Sequence, residues 1–220
     1  MKNIIKLMKY GLRENLIFYI LEFLIFTFVL TTIRGGGKLI FNNITVLVTT
    51  PLLAIILGIN TILCIKGFYS NISKARGRLL FTTNIKGVEF LTSKYLEFLI
   101  INLPFYIVAA IKIALINSLN SVSVLNIYML IEFLFFYMIV TLIIIIVDCY
   151  TSSSEGTIFF TFIALIVLKI VTDIITLILP KWYLSADKIR FGICDFILSI
   201  IVIVVLYVFS VNKLEKKLDI

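Results

Sequence analysis

The chain has 220 residues, of which 61% are hydrophobic and 15% are charged. Soluble domains are nearer half apolar and a quarter charged, so this composition indicates an integral membrane protein. Apolar runs of membrane-spanning length occupy almost the whole chain, which excludes a built-in ATPase domain with its own soluble core.

The chain contains no histidine, and its three cysteines form no CxxC pair. The lack of imidazole excludes His-based acid–base catalysis and His metal sites. We interpret Cys64, Cys149 and Cys194 as small hydrophobic side chains, because they lie in or beside apolar segments. The sequence therefore predicts no enzyme activity, no metal and no cofactor bound directly by this chain.

The net charge is +8, and the basic residues cluster beside the apolar segments. They form no stripe with interleaved aromatic residues. This pattern favours orientation in the bilayer and contact with anionic membrane lipid over nucleic-acid binding.

Residues 1–15 contain four basic residues, and their apolar residues recur at a spacing that places them on one side of a helix. They predict an amphipathic helix lying in the membrane interface. Six apolar runs follow, and we expect residues 1–220 to form one all-α transmembrane domain. The predicted spans are 16–33, 44–65, 95–116, 124–147, 157–179 and 192–211.

The distribution of Lys and Arg predicts the orientation. With a cytoplasmic N-terminus, segments 1–15, 66–94 and 212–220 hold four, six and three basic residues, thirteen in all. The opposite segments 34–38 and 180–191 hold two and three, five in all. Because cytoplasmic loops carry the excess of Lys and Arg, both termini are expected in the cytoplasm.

Charged residues inside the predicted spans are candidates for function, since each costs about 2.5–3.5 kcal/mol near a helix centre. Lys169 and Asp173 are four residues apart on one helix face, and Lys112 and Glu132 lie at similar depth in neighbouring spans. Two interpretations stay open: neutralised pairs that hold the bundle together, or a polar translocation path. The candidates are Glu22, Glu97, Lys112, Glu132, Lys169 and Asp173.

The longest polar stretch, residues 66–94, separates spans two and three. Thr83 or Asn84 is a suitable N-cap, and Ile85 and Val88 with Phe90 or Leu91 would give a short helix one apolar side. Such a helix on the cytoplasmic side is a surface on which a motor protein could act. The alternative is a basic loop lying on anionic headgroups. The candidate coupling residues are Thr83, Asn84, Ile85, Lys86, Gly87, Val88 and Glu89.

This stretch resembles the type 2 ABC transporter permease family. Gly77, the string at 79–85 and Lys94-Tyr95-Leu96 stand in the order of that family's coupling region, with Asn84 where proline is usual. Basic residues replace the family's acidic residues before the glycine. The resemblance implies an N-terminal interfacial helix, six spans and a coupling helix between spans two and three. It also implies a second permease copy, identical or paralogous, and separate cytoplasmic ABC ATPase subunits that bind ATP and Mg.

The expected function is therefore the transmembrane permease subunit of an ABC exporter in the plasma membrane. Its substrate would be an amphiphile, either a peptide, a lipid or a drug, and small Ile-rich permeases of this kind resemble those that export antimicrobial peptides or confer resistance to them. One alternative is a stand-alone secondary transporter, which predicts matched breaks in two repeats. Only Pro51 and Pro104 qualify, both in the first half. A non-transporting immunity or scaffold protein is the other alternative.

Overall fold

The structure, a computed structural model, describes residues 2–32, 40–72, 86–114, 119–151, 153–178, 183–186 and 189–218. These residues form seven helices and one short β-hairpin. The helices are α1 Lys2–Glu14, α2 Leu16–Thr32, α3 Ile40–Ile72, α4 Gly87–Ala114, α5 Leu119–Tyr150, α6 Ser154–Ile178 and α7 Ile193–Leu218. The hairpin consists of β1 Tyr183–Ala186 and β2 Ile189–Gly192, paired antiparallel with Tyr183 opposite Gly192.

Five of the described helices, α3 to α7, are long and apolar enough to cross a membrane, which agrees with a multi-pass membrane protein. The qualifying segments are Val48–Ile72, Gly87–Lys112, Ile127–Tyr150, Ser154–Ile178 and Ile193–Leu214. Helix α2 has 17 residues and meets α1 at 68°, and the two helices counted together as one span give a sixth. The fold is therefore helical with five to six candidate spans, and the hairpin lies in the linker predicted before the last one.

The start of α4 differs from the sequence-based expectation. Lys86 is not helical, and its backbone N–H donates to the Glu89 carboxylate at 3.4 Å, as the glutamate of a capping box does. The helix then runs unbroken from Gly87 to Ala114. In the described residues, the predicted short coupling helix and the third span are thus one helix. Thr83, Asn84 and Ile85 lie outside the described residues.

Helix α5 is the centre of the bundle, because it packs against α3, α4, α6 and α7. One buried apolar cluster joins α3, α4, α5 and α7, and includes Phe68, Phe90, Leu142 and Leu214. Helix α6 lies at the periphery, where only Thr157 and Thr161 among its described side chains are buried. It therefore presents most of its apolar surface outward.

The described contacts define two ends of the bundle. At the α1 end, Asn3 of α1 donates to Glu89 of α4 at 3.2 Å, and Gly87 of α4 lies against Leu214 of α7. At the hairpin end, β1 contacts α5 and the hairpin joins the last two helices. Helix α1 and the last turns of α7 therefore lie at the same end of the bundle.

Candidate functional site

A cleft of about 740 Å³ lies between α5, α6 and α7, in the half of the bundle nearer the hairpin. Its walls are mostly apolar, with aromatic side chains such as Phe136 and Phe162. Four charged side chains line it: Glu132 from α5, Lys169 and Asp173 from α6, and Asp195 from α7. A cleft with an apolar wall and a few convergent polar groups is the usual form of a ligand site.

The ion pair in this cleft joins Lys169 and Asp173. Lys169 Nζ lies 2.7 Å from Asp173 Oδ1, and the two side chains are 75% and 56% exposed. Neighbouring hydroxyls bond to their own helix, since Thr172 donates to the Lys169 carbonyl and Thr176 to the Asp173 carbonyl, both at 2.9 Å. The charged groups are therefore the strongest polar features that the cleft offers to a bound molecule, beside the hydroxyls of Tyr128 and Ser199.

Glu132 and Asp195 add two further carboxylates to the cleft. Glu132 is exposed on α5 and is hydrogen-bonded by the Tyr128 side chain one turn earlier. Asp195 is exposed in the first turn of α7. Within the described part of the chain, the cleft contains three carboxylates and one ammonium group. No set of three Asp, Glu, Cys or His side chains there is placed to hold a metal ion. The three carboxylates of the cleft therefore do not form such a set.

Lys112, predicted at the depth of Glu132, lies on α4 and does not line the cleft. Glu132 lines the cleft together with Lys169, Asp173 and Asp195. The structure therefore brings together three of the six predicted intramembrane candidates and adds Asp195. Little in the sequence pointed to Asp195, because it lies near the start of the last apolar run, where an acidic residue is ordinary.

Glu97 belongs to a different site, near the α1 end. Its carboxylate lies 2.7 Å from Lys94 Nζ, and the two residues are only 8% and 5% exposed. A Cβ added to Gly11 of α1 would collide with this carboxylate, so α1 packs directly over the ion pair. The i,i+3 spacing of this pair is visible in the sequence. The predicted polar stretch 66–94 includes Lys94, however, so the sequence did not predict the pairing.

Glu22 lies within α2, and neither carboxylate oxygen has a hydrogen-bond partner among the described residues, although both are buried. It follows Tyr19 and precedes Phe26 on one helix face, and those two residues belong to two different buried clusters. On α3 and α4 respectively, Asn60 and Asn102 also lie between residues of these same two clusters. A thin polar layer therefore crosses the bundle between two apolar layers.

The described part of the predicted coupling segment runs from Lys86 into the first turn of α4, and its residues divide between core and surface. Phe90 and Leu91 are fully buried, whereas Val88 is 41% exposed and Lys86 is exposed. Phe90 packs on Phe68 of α3, with ring centroids 5.6 Å apart. This turn thus has an outward face and is anchored to α1, α3 and α7.

No protein-family model, curated protein sequence or solved structure matches this chain.

Proposed function

We propose that this protein is the transmembrane permease subunit of an ATP-driven exporter that moves an amphiphilic substrate out of the cell. Separate cytoplasmic ABC ATPase subunits would bind ATP and Mg and supply the driving force. The permease would act beside a second copy or a paralogue in the plasma membrane, with both termini in the cytoplasm. The resemblance of residues 77–96 to the type 2 permease family and the five to six candidate spans both support this proposal.

The main support for the proposal is the packing at the start of α4, which has an exposed face and a buried face. Lys86 and Val88 face outward, while Phe90 and Leu91 are buried in the cluster that joins α3, α4, α5 and α7. A protein bound to the outward face would therefore act on four helices through one rigid contact. Packed cores respond to such displacement as units rather than by local deformation.

The test is to ask whether a neighbouring reading frame encodes an ABC ATPase, to co-express that protein with this chain, and to measure co-purification and ATP hydrolysis. Val88→Asp should weaken the complex by about 1–3 kcal/mol, the typical cost of losing an apolar anchor at an interface. Asn212→Asp is the matched control, because Asn212 is exposed on α7 at the same end of the bundle. Equal co-purification and stimulated ATPase activity for both variants would contradict the assignment of the coupling surface.

A second candidate is a stand-alone carrier driven by an ion gradient. The buried Glu22 carboxylate without a described partner favours it, because intramembrane carboxylates commonly serve as proton or cation sites. Substrate movement by the purified chain in vesicles with an ion gradient and no ATPase would support this carrier. Partner binding without any movement of substrate would instead indicate a scaffold or immunity role.

A further inference from the structure

We propose that the α5–α6–α7 cleft binds a hydrophobic organic cation, and that the exporter's substrates are therefore cationic amphiphiles. The binding site stands on the geometry of the cleft alone. Its role in selecting substrates rests on the proposed transport function.

The charge of the cleft determines the sign of its ligand. Lys169 and Asp173 form an ion pair at 2.7 Å. The two charges cancel, so this pair adds no net charge to the cleft. Among the described residues that line the cleft, Glu132 and Asp195 remain as two carboxylates in excess. Beside a low-dielectric wall these charges attract a cation more strongly than they would in water.

The shape and lining of the cleft determine the kind of cation. The carboxylates are not grouped as a metal site requires, so a small hard cation lacks a coordination shell among the described residues. The walls are instead apolar and aromatic, and they come from three helices. Phe136 and Phe162 can contact the apolar body of a ligand, and aromatic faces also attract organic cations.

The position of the cleft fits a ligand that enters from the membrane. Helix α6, which forms one wall, exposes most of its apolar residues, and Glu132 and Asp195 are themselves exposed. A charged group that lies this close to lipid costs free energy unless a counter-charge or water accompanies it. An amphiphilic cation supplies both the counter-charge and the apolar surface.

The experiment uses the full chain in lipid nanodiscs without any ATPase, with empty nanodiscs as the background. The probes are tetraphenylphosphonium and tetraphenylborate, which share size and shape and differ in the sign of their charge. We expect saturable binding of the cation and none of the anion above background. Equal binding of both, or preference for the anion, would overturn the proposal.

Variants locate the bound probe. Glu132→Gln and Asp195→Asn should each weaken tetraphenylphosphonium binding about tenfold, which corresponds to about 1.4 kcal/mol. Glu155→Gln is the control, because it removes the same charge from the exposed first turn of α6, outside the cleft. Unchanged affinity in both cleft variants, or equal losses in all three, would show that the probe binds lipid or another surface.

If a cleft variant fails to fold, a second experiment decides the question. A Ser199→Cys thiol should be protected from maleimide by the cation, and not by the anion.

The result is independent of the proposed exporter. Cation binding without ATPase association would uphold this site and overturn the transport proposal. Association with an ATPase without cation-selective binding would support the transport proposal and overturn this binding site.

Discussion

Asn60 of α3 donates a hydrogen bond from Nδ2 to Oδ1 of Asn102 on α4, at 3.1 Å, and both side chains are completely buried. Asn102 in turn donates to the carbonyl of Phe98 at 2.9 Å. In a membrane-embedded bundle, where lipid is as apolar as the core, such inter-helix hydrogen bonds give helices a specific partner and depth. This pair fixes the level at which α3 and α4 meet.

We expect Asn60→Leu and Asn102→Leu each to destabilise the protein, because each leaves the other amide without its partner. Inter-helix hydrogen bonds of this kind contribute about 0.6 kcal/mol on average and up to about 1.7 kcal/mol. The double variant should cost less than the sum of the two single variants. Unfolding free energies in mixed micelles measure this, and strictly additive losses would contradict a direct interaction.

Packing of α1 on α4 can be tested at a single glycine. In Gly11→Ala the new methyl group would collide with the Glu97 carboxylate, which Lys94 holds at 2.7 Å. We expect a loss of about 1–3 kcal/mol, as overpacking of a close contact usually gives.

The control for this variant is Gly67→Ala in α3, where an added Cβ has nothing within 4 Å. It should be neutral or stabilising by up to about 1 kcal/mol, because alanine is the better helix former. Thermal unfolding in detergent compares the two variants. Equal stability would mean that α1 does not lie against Glu97.

The sequence was sufficient to predict spans two to six, because each is a continuous apolar run with polar residues on either side, whereas the first predicted span, 16–33, matches α2 and counts as a span only together with α1. The second predicted span, 44–65, lies inside α3 Ile40–Ile72, and the fifth, 157–179, nearly coincides with α6 Ser154–Ile178. The Lys169–Asp173 pair was equally accessible, since i,i+4 contacts depend only on helical geometry. Local patterns therefore carried most of the fold.

The cleft itself could not be predicted, because it depends on how three helices pack. The sequence places Lys112 and Glu132 at similar depth, but depth does not specify which helix face meets which neighbour. The Lys94–Glu97 pair was missed for a different reason. A lysine at the edge of an apolar run resembles a span boundary, whereas α4 begins about two turns earlier and α1 covers the pair.

Orientation in the membrane can be measured by cysteine labelling in a variant that lacks Cys64, Cys149 and Cys194. Lys86 and Ser185 lie at opposite ends of the bundle, one before α4 and the other in the hairpin. The excess of Lys and Arg at the α1 end predicts that an impermeant external maleimide labels Ser185→Cys and not Lys86→Cys. Labelling of position 86 from outside would invert the topology. It would also overturn the proposed coupling, because that coupling requires a cytoplasmic ATPase.

The last prediction concerns the role of Lys169 and Asp173, which either hold the bundle together or line the route of the substrate. Lys169→Leu or Asp173→Leu alone leaves one charge without its partner. In contact with lipid that charge costs about 2.5–3.5 kcal/mol, whereas in a water-filled cleft an exposed pair contributes only about 0.2–1 kcal/mol. The stability of the two single variants therefore reports what surrounds the pair.

We expect the double variant Lys169→Leu/Asp173→Leu to regain wild-type stability, because no unpaired charge remains, and to export substrate poorly, because the cleft has lost two of its four charged side chains. Thermal unfolding in detergent and transport into vesicles that also contain the ATPase measure the two effects. A double variant that is stable and fully active would reduce the pair to a structural contact. A double variant less stable than either single one would contradict the pairing itself, because removal of two groups that neutralise each other leaves no charge to destabilise α6.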